Sequence, residues 1–255
     1  MATANKSYSK LAGTTGSFNK MLRRFGVVTV MNAYVYEAFG TDTLRNMKAV
    51  DVLNALQNAD GSMKESSVTI EKDTINFQCK LDTLKIANVT IDGPSKTVTG
   101  GQYANPLIKY GKTGRLEIQD ALGNADAIEA LCGGIIEHFG SQEHIDSSHD
   151  SGATDVLHFG SDFCGEKLIV GDSFFVDTNG SQIKVKIIFY RFLPDSIFSL
   201  TQDSEGDATV FDMNGDLLTT DITVGNVGGN EEVHGVFYSI LPYKNIDDYK
   251  TVSSS

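Results

Sequence analysis

Alternation is the feature that most limits what this chain can fold into. From Val68 onward apolar residues fall at Val68 and Ile70, then at Ile75, Phe77, Cys79 and Leu81, with polar residues between them. A period of two sends successive side chains to opposite faces of an extended strand, one toward a core and one toward water. The habit continues over residues 84–91 and 115–119, while β-branched and aromatic residues crowd 27–36. Strand-like runs return at 167–170, 174–177, 182–192, 208–211, 217–224 and 233–241. Asp177-Thr-Asn-Gly180 and Asn214-Gly215 read as hairpin turns between them. Glycine is abundant at 25 and proline scarce at 4, so the turns are glycine turns.

Two segments break the alternation. Leu44, Met47, Val50, Leu53 and Leu56 recur every three residues behind a cap at Thr41 or Asp42, which predicts a helix over about 42–58. Ile128, Leu131 and Cys132, with Asn124 or Asp126 as cap and Gly133-Gly134 as stop, predict a short helix over about 124–133. The expected fold is mainly β, a sandwich or barrel of about ten short strands with one or two flanking helices. With 255 residues and roughly 150 per domain, the expectation is a single β domain over 25–255 behind an arm, residues 1–24.

The arm is set apart by charge. It holds Lys6, Lys10, Lys20, Arg23 and Arg24 and no acid, whereas the rest of the chain carries 16 bases against 33 acids, or −17. An acidic body repels phosphate and argues against gripping nucleic acid. Of the two readings of the basic arm, nucleic-acid binding or docking on an acidic neighbour, the sign of the body favours docking on another copy of the same protein. No run approaches the roughly 18 apolar residues of a membrane helix, and residues 1–10 lack the apolar core of a secretory signal. Three cysteines, Cys79, Cys132 and Cys164, make no disulfide framework and point to a reducing compartment.

Candidate chemistry is sparse. Glu137, His138, His144, Asp146, His149, Asp150, His158 and Cys164 lie close in sequence, but no tight C-x2-C or H-x3-H pair organises them, and residues 141–154 read as a solvated loop. Asp212-Met-Asn-Gly-Asp216 begins like a calcium loop, yet its glycine comes too early and Thr223 stands where the closing glutamate belongs. There is no G-x-S-x-G elbow, and Gly13–Gly16 and Gly225–Gly229 lack the context of a phosphate loop. Cys79 and Cys132 occupy core positions. The residues therefore predict no catalytic site, no metal and no cofactor.

Residues 86–119, IANVTIDGPSKTVTGGQYANPLIKYGKTGRLEIQ, lead directly into Asp120-Ala-Leu-Gly123 and the short helix. From Leu200 the chain reads LTQDSEGDATVFDMNGDL. Both stretches resemble major tail tube proteins of long-tailed bacteriophages. The shared pattern is a strand, a hairpin with paired glycines, a lysine-rich turn, a strand ending in a QDALG-like turn, a helix and later an acidic hairpin.

The resemblance implies a virion protein, assembled in the host cytoplasm, whose stacked hexameric rings form the hollow tail tube. Its partners would be further copies, the tape measure, baseplate, terminator and in some tails the sheath, with viral DNA passing through unbound and no membrane involved. On that reading Lys6, Lys10, Lys20, Arg23, Arg24, Lys109 and Lys112 contact the next ring, together with the loop 58–64. Asp203, Glu205, Asp207, Asp212 and Asp216 are the acids expected to line the channel. Another phage structural protein (baseplate hub, tail terminator, capsid) or a carbohydrate- or cell-surface-binding sandwich is the alternative. The absence of Trp removes the favoured sugar platform.

Overall fold

The computed structural model describes residues 25–82, 84–93, 95–97, 107–109, 111–120, 125–138, 155–160, 163–177, 182–195, 211–225 and 231–243. In chain order these form β1 (Phe25–Glu37), α1 (Thr41–Arg45), α2 (Ala49–Leu56), β2 (Val68–Ile70), β3 (Asp73–Ile75), β4 (Phe77–Leu81), β5 (Leu84–Asp92), β6 (Ser95–Thr97) and β7 (Leu107–Lys109). They continue as β8 (Thr113–Asp120), α3 (Ala125–Cys132), β9 (Gly134–His138), β10 (Asp155–Phe159), β11 (Lys167–Asp177), β12 (Gln182–Pro194), β13 (Phe211–Leu217), β14 (Thr220–Gly225), β15 (Glu231–Val236) and β16 (Tyr238–Tyr243).

The protein is mainly β. Seven strands follow one another across an antiparallel sheet in the order β4-β1-β11-β12-β13-β8-β5, and β16 joins as an eighth by pairing with β12. Strand β12 changes neighbours along its length: residues 184–189 pair with β16, and residues 192–194 with β13. Four two-stranded pairs, β2–β3, β6–β7, β9–β10 and β14–β15, complete the described strands. At Phe237 the chain leaves β15, which pairs with β14, and enters β16, which pairs with β12.

Two apolar clusters lie on opposite sides of the central strands. The first gathers Ala33 and Val35 of β1, Cys79 and Leu81 of β4, Leu116 and Ile118 of β8, Ile169, Val185 and Ile187, closed by Ala127, Ile128 and Leu131 of α3. Strands β4 and β8 are far apart in the sheet order yet share this cluster, so the sheet curves around it. The second cluster packs Tyr36, Leu168, Val170, Ile188 and Tyr190 against Leu44 of α1, Val52, Leu53 and Leu56 of α2, and Ile222 and Leu241. The fully buried tyrosines keep their hydroxyls satisfied, Tyr36 donating to the Lys64 carbonyl at 2.7 Å and Tyr190 bonding Ser239 Oγ at 2.8 Å.

The predicted helix over 42–58 is two helices. Thr223 of β14 explains the break: its backbone N–H donates to the Met47 carbonyl at 2.9 Å and its hydroxyl to the Arg45 carbonyl at 2.8 Å. Those carbonyls, which would continue the helical ladder, are taken by a strand 176 or more positions away. Helix α2 then restarts, with Asp51 Oδ2 accepting from the Lys48 N–H at 3.2 Å. The apolar face survives, since Leu44, Met47, Leu53 and Leu56 are all buried.

The Asn214-Gly215 turn is also corrected, because both residues lie inside β13. A Cβ on Gly215 would sit 2.3 Å from the Leu193 carbonyl oxygen and 2.7 Å from the Phe192 ring. The glycine is there for close approach between strands, not for turning the chain.

Candidate assembly surfaces

Strands β13, β8 and β5 follow one another at one end of the strand order and form a limb of the sheet. On β8, Gly114, Leu116, Ile118 and Asp120 are buried, while Thr113, Arg115, Glu117 and Gln119 face outward. The register places Asp212, Asn214 and Asp216 of β13 opposite Gln119, Glu117 and Arg115, and Asn88, Thr90 and Asp92 of β5 opposite Glu117, Arg115 and Thr113. Cross-strand partners share a face. The outward face therefore carries Asp92, Glu117, Asp212 and Asp216, with Arg115 among them.

Arg115 is held by Asp195 at 2.5 Å and by Asp216 at 3.3 Å, and the Asp195 hydrogen bond raises its pKa above the ordinary guanidinium value. Asp212 accepts from Gln119 Nε2 at 2.8 Å. The face stays strongly negative because one guanidinium is shared by two carboxylates.

Two predicted channel acids, Asp212 and Asp216, are thus brought onto one face. Glu117 and Asp92 join them, and sequence reasoning missed both: the alternation of RLEIQ already put Glu117 outward, but only strand pairing brings it beside β13. Asp203, Glu205 and Asp207 lie outside the described residues.

The sheet ends in two strands with one strand partner each among the described residues. Strand β4 pairs with β1, and β5 pairs with β8. On the inward face of β5, Val89 and Ile91 remain 37% and 40% exposed.

Of the predicted ring-to-ring residues, Lys6, Lys10, Lys20, Arg23 and Arg24 lie outside the described residues. Lys109 is the last residue of β7, in register with Ser95 of β6. Lys112 is exposed immediately before β8. The loop 58–64 is internally braced: Asn58 N–H donates to Ser62 O at 2.8 Å, Gly61 takes φ 83°, and Lys64 Nζ donates to Ala55 O at 2.6 Å, closing the end of α2. Lys64 is engaged by its own helix.

Of the histidine-rich stretch, the ends lie among the described residues. Strands β9 and β10, absent from the sequence reading, pair in antiparallel register, and His158 Nε2 lies 2.8 Å from Glu137 Oε2. His144, Asp146, His149 and Asp150 lie outside the described residues, and among the described residues no three His, Cys, Asp or Glu side chains form a metal-binding group. Burial pushes the Cys79 thiol up to about 12 and the Cys132 thiol up to about 11, which keeps both protonated and weakly nucleophilic at neutral pH. Among the described residues no helix is long and apolar enough to cross a membrane.

No protein-family model matches the chain, and no curated protein matches it significantly.

Proposed function

We propose that this chain is a virion structural protein that self-assembles into stacked hexameric rings, forming the hollow tail tube of a long-tailed bacteriophage. The observation that carries the reading is the limb β5–β8–β13, where one curved sheet packs its inner face on a core and gathers Asp92, Glu117, Asp212 and Asp216 on its outer face. A channel wall for DNA needs this division. Negative charge along the passage repels phosphate and lets the genome move without sticking. Strands β4 and β5, each with one ladder partner among the described residues, are where the sheet would continue into the next copy in this reading. In this reading the basic arm docks on the acidic body of a neighbouring ring, and the protein's partners are its own copies and other tail components. No step requires a catalyst or a cofactor.

Sedimentation velocity over rising protein concentration, at low and high salt, tests the reading. The expected result is a transition from small species to ring multiples, shifted to higher concentration by salt, because the arm-to-body attraction is screened over about 10 Å at 0.1 M. A monomer that persists throughout, together with binding on a glycan array, would support the sugar-binding alternative instead.

A further inference from the structure

We propose that β9, β10 and residues 163–166 form the docking site for the basic arm, residues 1–24, of a neighbouring copy, an assignment that rests on the reading above for its occupant, a further copy of this chain. Two stretches of opposite sign stand out in the sequence. Residues 1–24 hold five bases and no acid, with Phe18, Met21 and Leu22 set among Lys20, Arg23 and Arg24. Residues 116–166 hold eleven acids and neither Lys nor Arg.

Within the acidic stretch, α3 supports a platform. A Cβ on Gly134 would stand 2.9 Å from Leu157 and 3.4 Å from Ile128, so the β9–β10 hairpin sits tightly on the helix. Glu129 fastens both pieces of the platform: its carboxylate accepts from the Ile136 N–H at 3.3 Å, and its carbonyl accepts from the Cys164 thiol at 3.7 Å. On this base Ile135 is 49%, Phe159 50% and Phe163 86% exposed. Large apolar side chains held in place and left in water mark a binding surface. Glu137 shares the face of Ile135 and is itself exposed. Docking platform on platform would set these acids against their like. The arm instead brings bases to the acids and apolar side chains to the apolar ones.

Position favours a neighbour's arm over the chain's own. The arm joins β1 at Phe25, which is in register with Asp177 at the far end of β11. Residues 163–166 enter β11 at its near end, Lys167. The strand has 11 residues, so at about 3.3 Å each the root of the arm and the platform lie roughly 30 Å apart, at opposite ends of the sheet. Copies stacked head to tail bring one end onto the other, the heterologous contact that repeats along a column.

The test replaces Phe163 of the full chain with the photo-crosslinker p-benzoylphenylalanine, mixes this protein with isotopically heavy wild-type chain, irradiates the mixture at rising concentration and maps the linked peptides. The expected result is links from position 163 to residues 1–24 of light and heavy chains alike, falling several-fold at high salt. Combining Lys20→Glu, Arg23→Glu and Arg24→Glu should abolish them, with thermal melting as the check that the fold is intact. Links to light arms only, links to another segment, or no links would overturn the docking. Stacked rings without arm links would overturn it and leave the tube reading standing. Arm links between copies that never form rings would uphold it and count against the tube.

Discussion

Strands β11 and β12 are buried on both faces, whereas β8 and β13 bury one face and give the other to water. Leu168, Ile169 and Val170 alternate between the two apolar clusters, as do Ile187, Ile188, Phe189 and Tyr190. Consecutive apolar residues are what such strands require. On β8 and β13 the pattern is strictly alternating, and the outward positions are polar, with Glu117, Asp212 and Asp216 among them. Over residues 168–170 and 185–190 the central strands are scaffold, whereas the limb presents one face to water.

That contrast predicts how substitutions will separate. The largest effect is expected in the centre: Phe192→Ala, at a fully buried position of β12, should cost about 3–5 kcal/mol in urea denaturation. Asp172→Asn should follow at about 3 kcal/mol, because it strips the carboxylate 2.6 Å from Lys186 Nζ, an ammonium only 2% exposed. Gly215→Ala, at the junction of scaffold and limb, should cost about 1–3 kcal/mol, since the new methyl meets the Leu193 carbonyl and the Phe192 ring. On the outer face of the limb, Glu117→Gln should change stability by no more than about 0.5 kcal/mol. A large loss there would mean that the face is internal packing rather than presented surface.

Alkaline titration sharpens the same comparison. Burial raises Cys79 from 9.0 to about 12 and Tyr190 from 10.0 to about 12. Above pH 9 the unfolded chain ionises these groups first, while the folded chain keeps them neutral. Stability should therefore be level from pH 7 to 9 as far as these groups are concerned, then fall by about 1.4 kcal/mol per pH unit per site up to about pH 12, from pH 9 for Cys79 and from pH 10 for Tyr190. Urea midpoints across that range check it. A midpoint unchanged to pH 11 would mean that these groups are not buried as described.

Much of this was legible in the chain. Alternation located β4, β5 and β8, β-branched and aromatic density located β1, and the three-residue spacing found the buried face of α1 and α2. It could not find the break between those helices, because the hydrogen bonds that cause it come from Thr223, far along the chain. Asn214-Gly215 has the chemistry of a turn, and only the approach of Leu193 and Phe192 reveals it as strand. Strands β9 and β10 were hidden by the polar stretch between them, which reads as loop in any window. Among the site residues, the acid positions on β13 were readable, but their company with Glu117 and Asp92 depends on which strands pair.

The central claim is that this chain builds a hollow tube, and negative-stain electron microscopy of the purified protein at rising concentration tests it most directly. The account predicts stacked rings or tubes of uniform diameter with a stain-filled channel. Solid or irregular aggregates, or isolated small particles at every concentration, would contradict it.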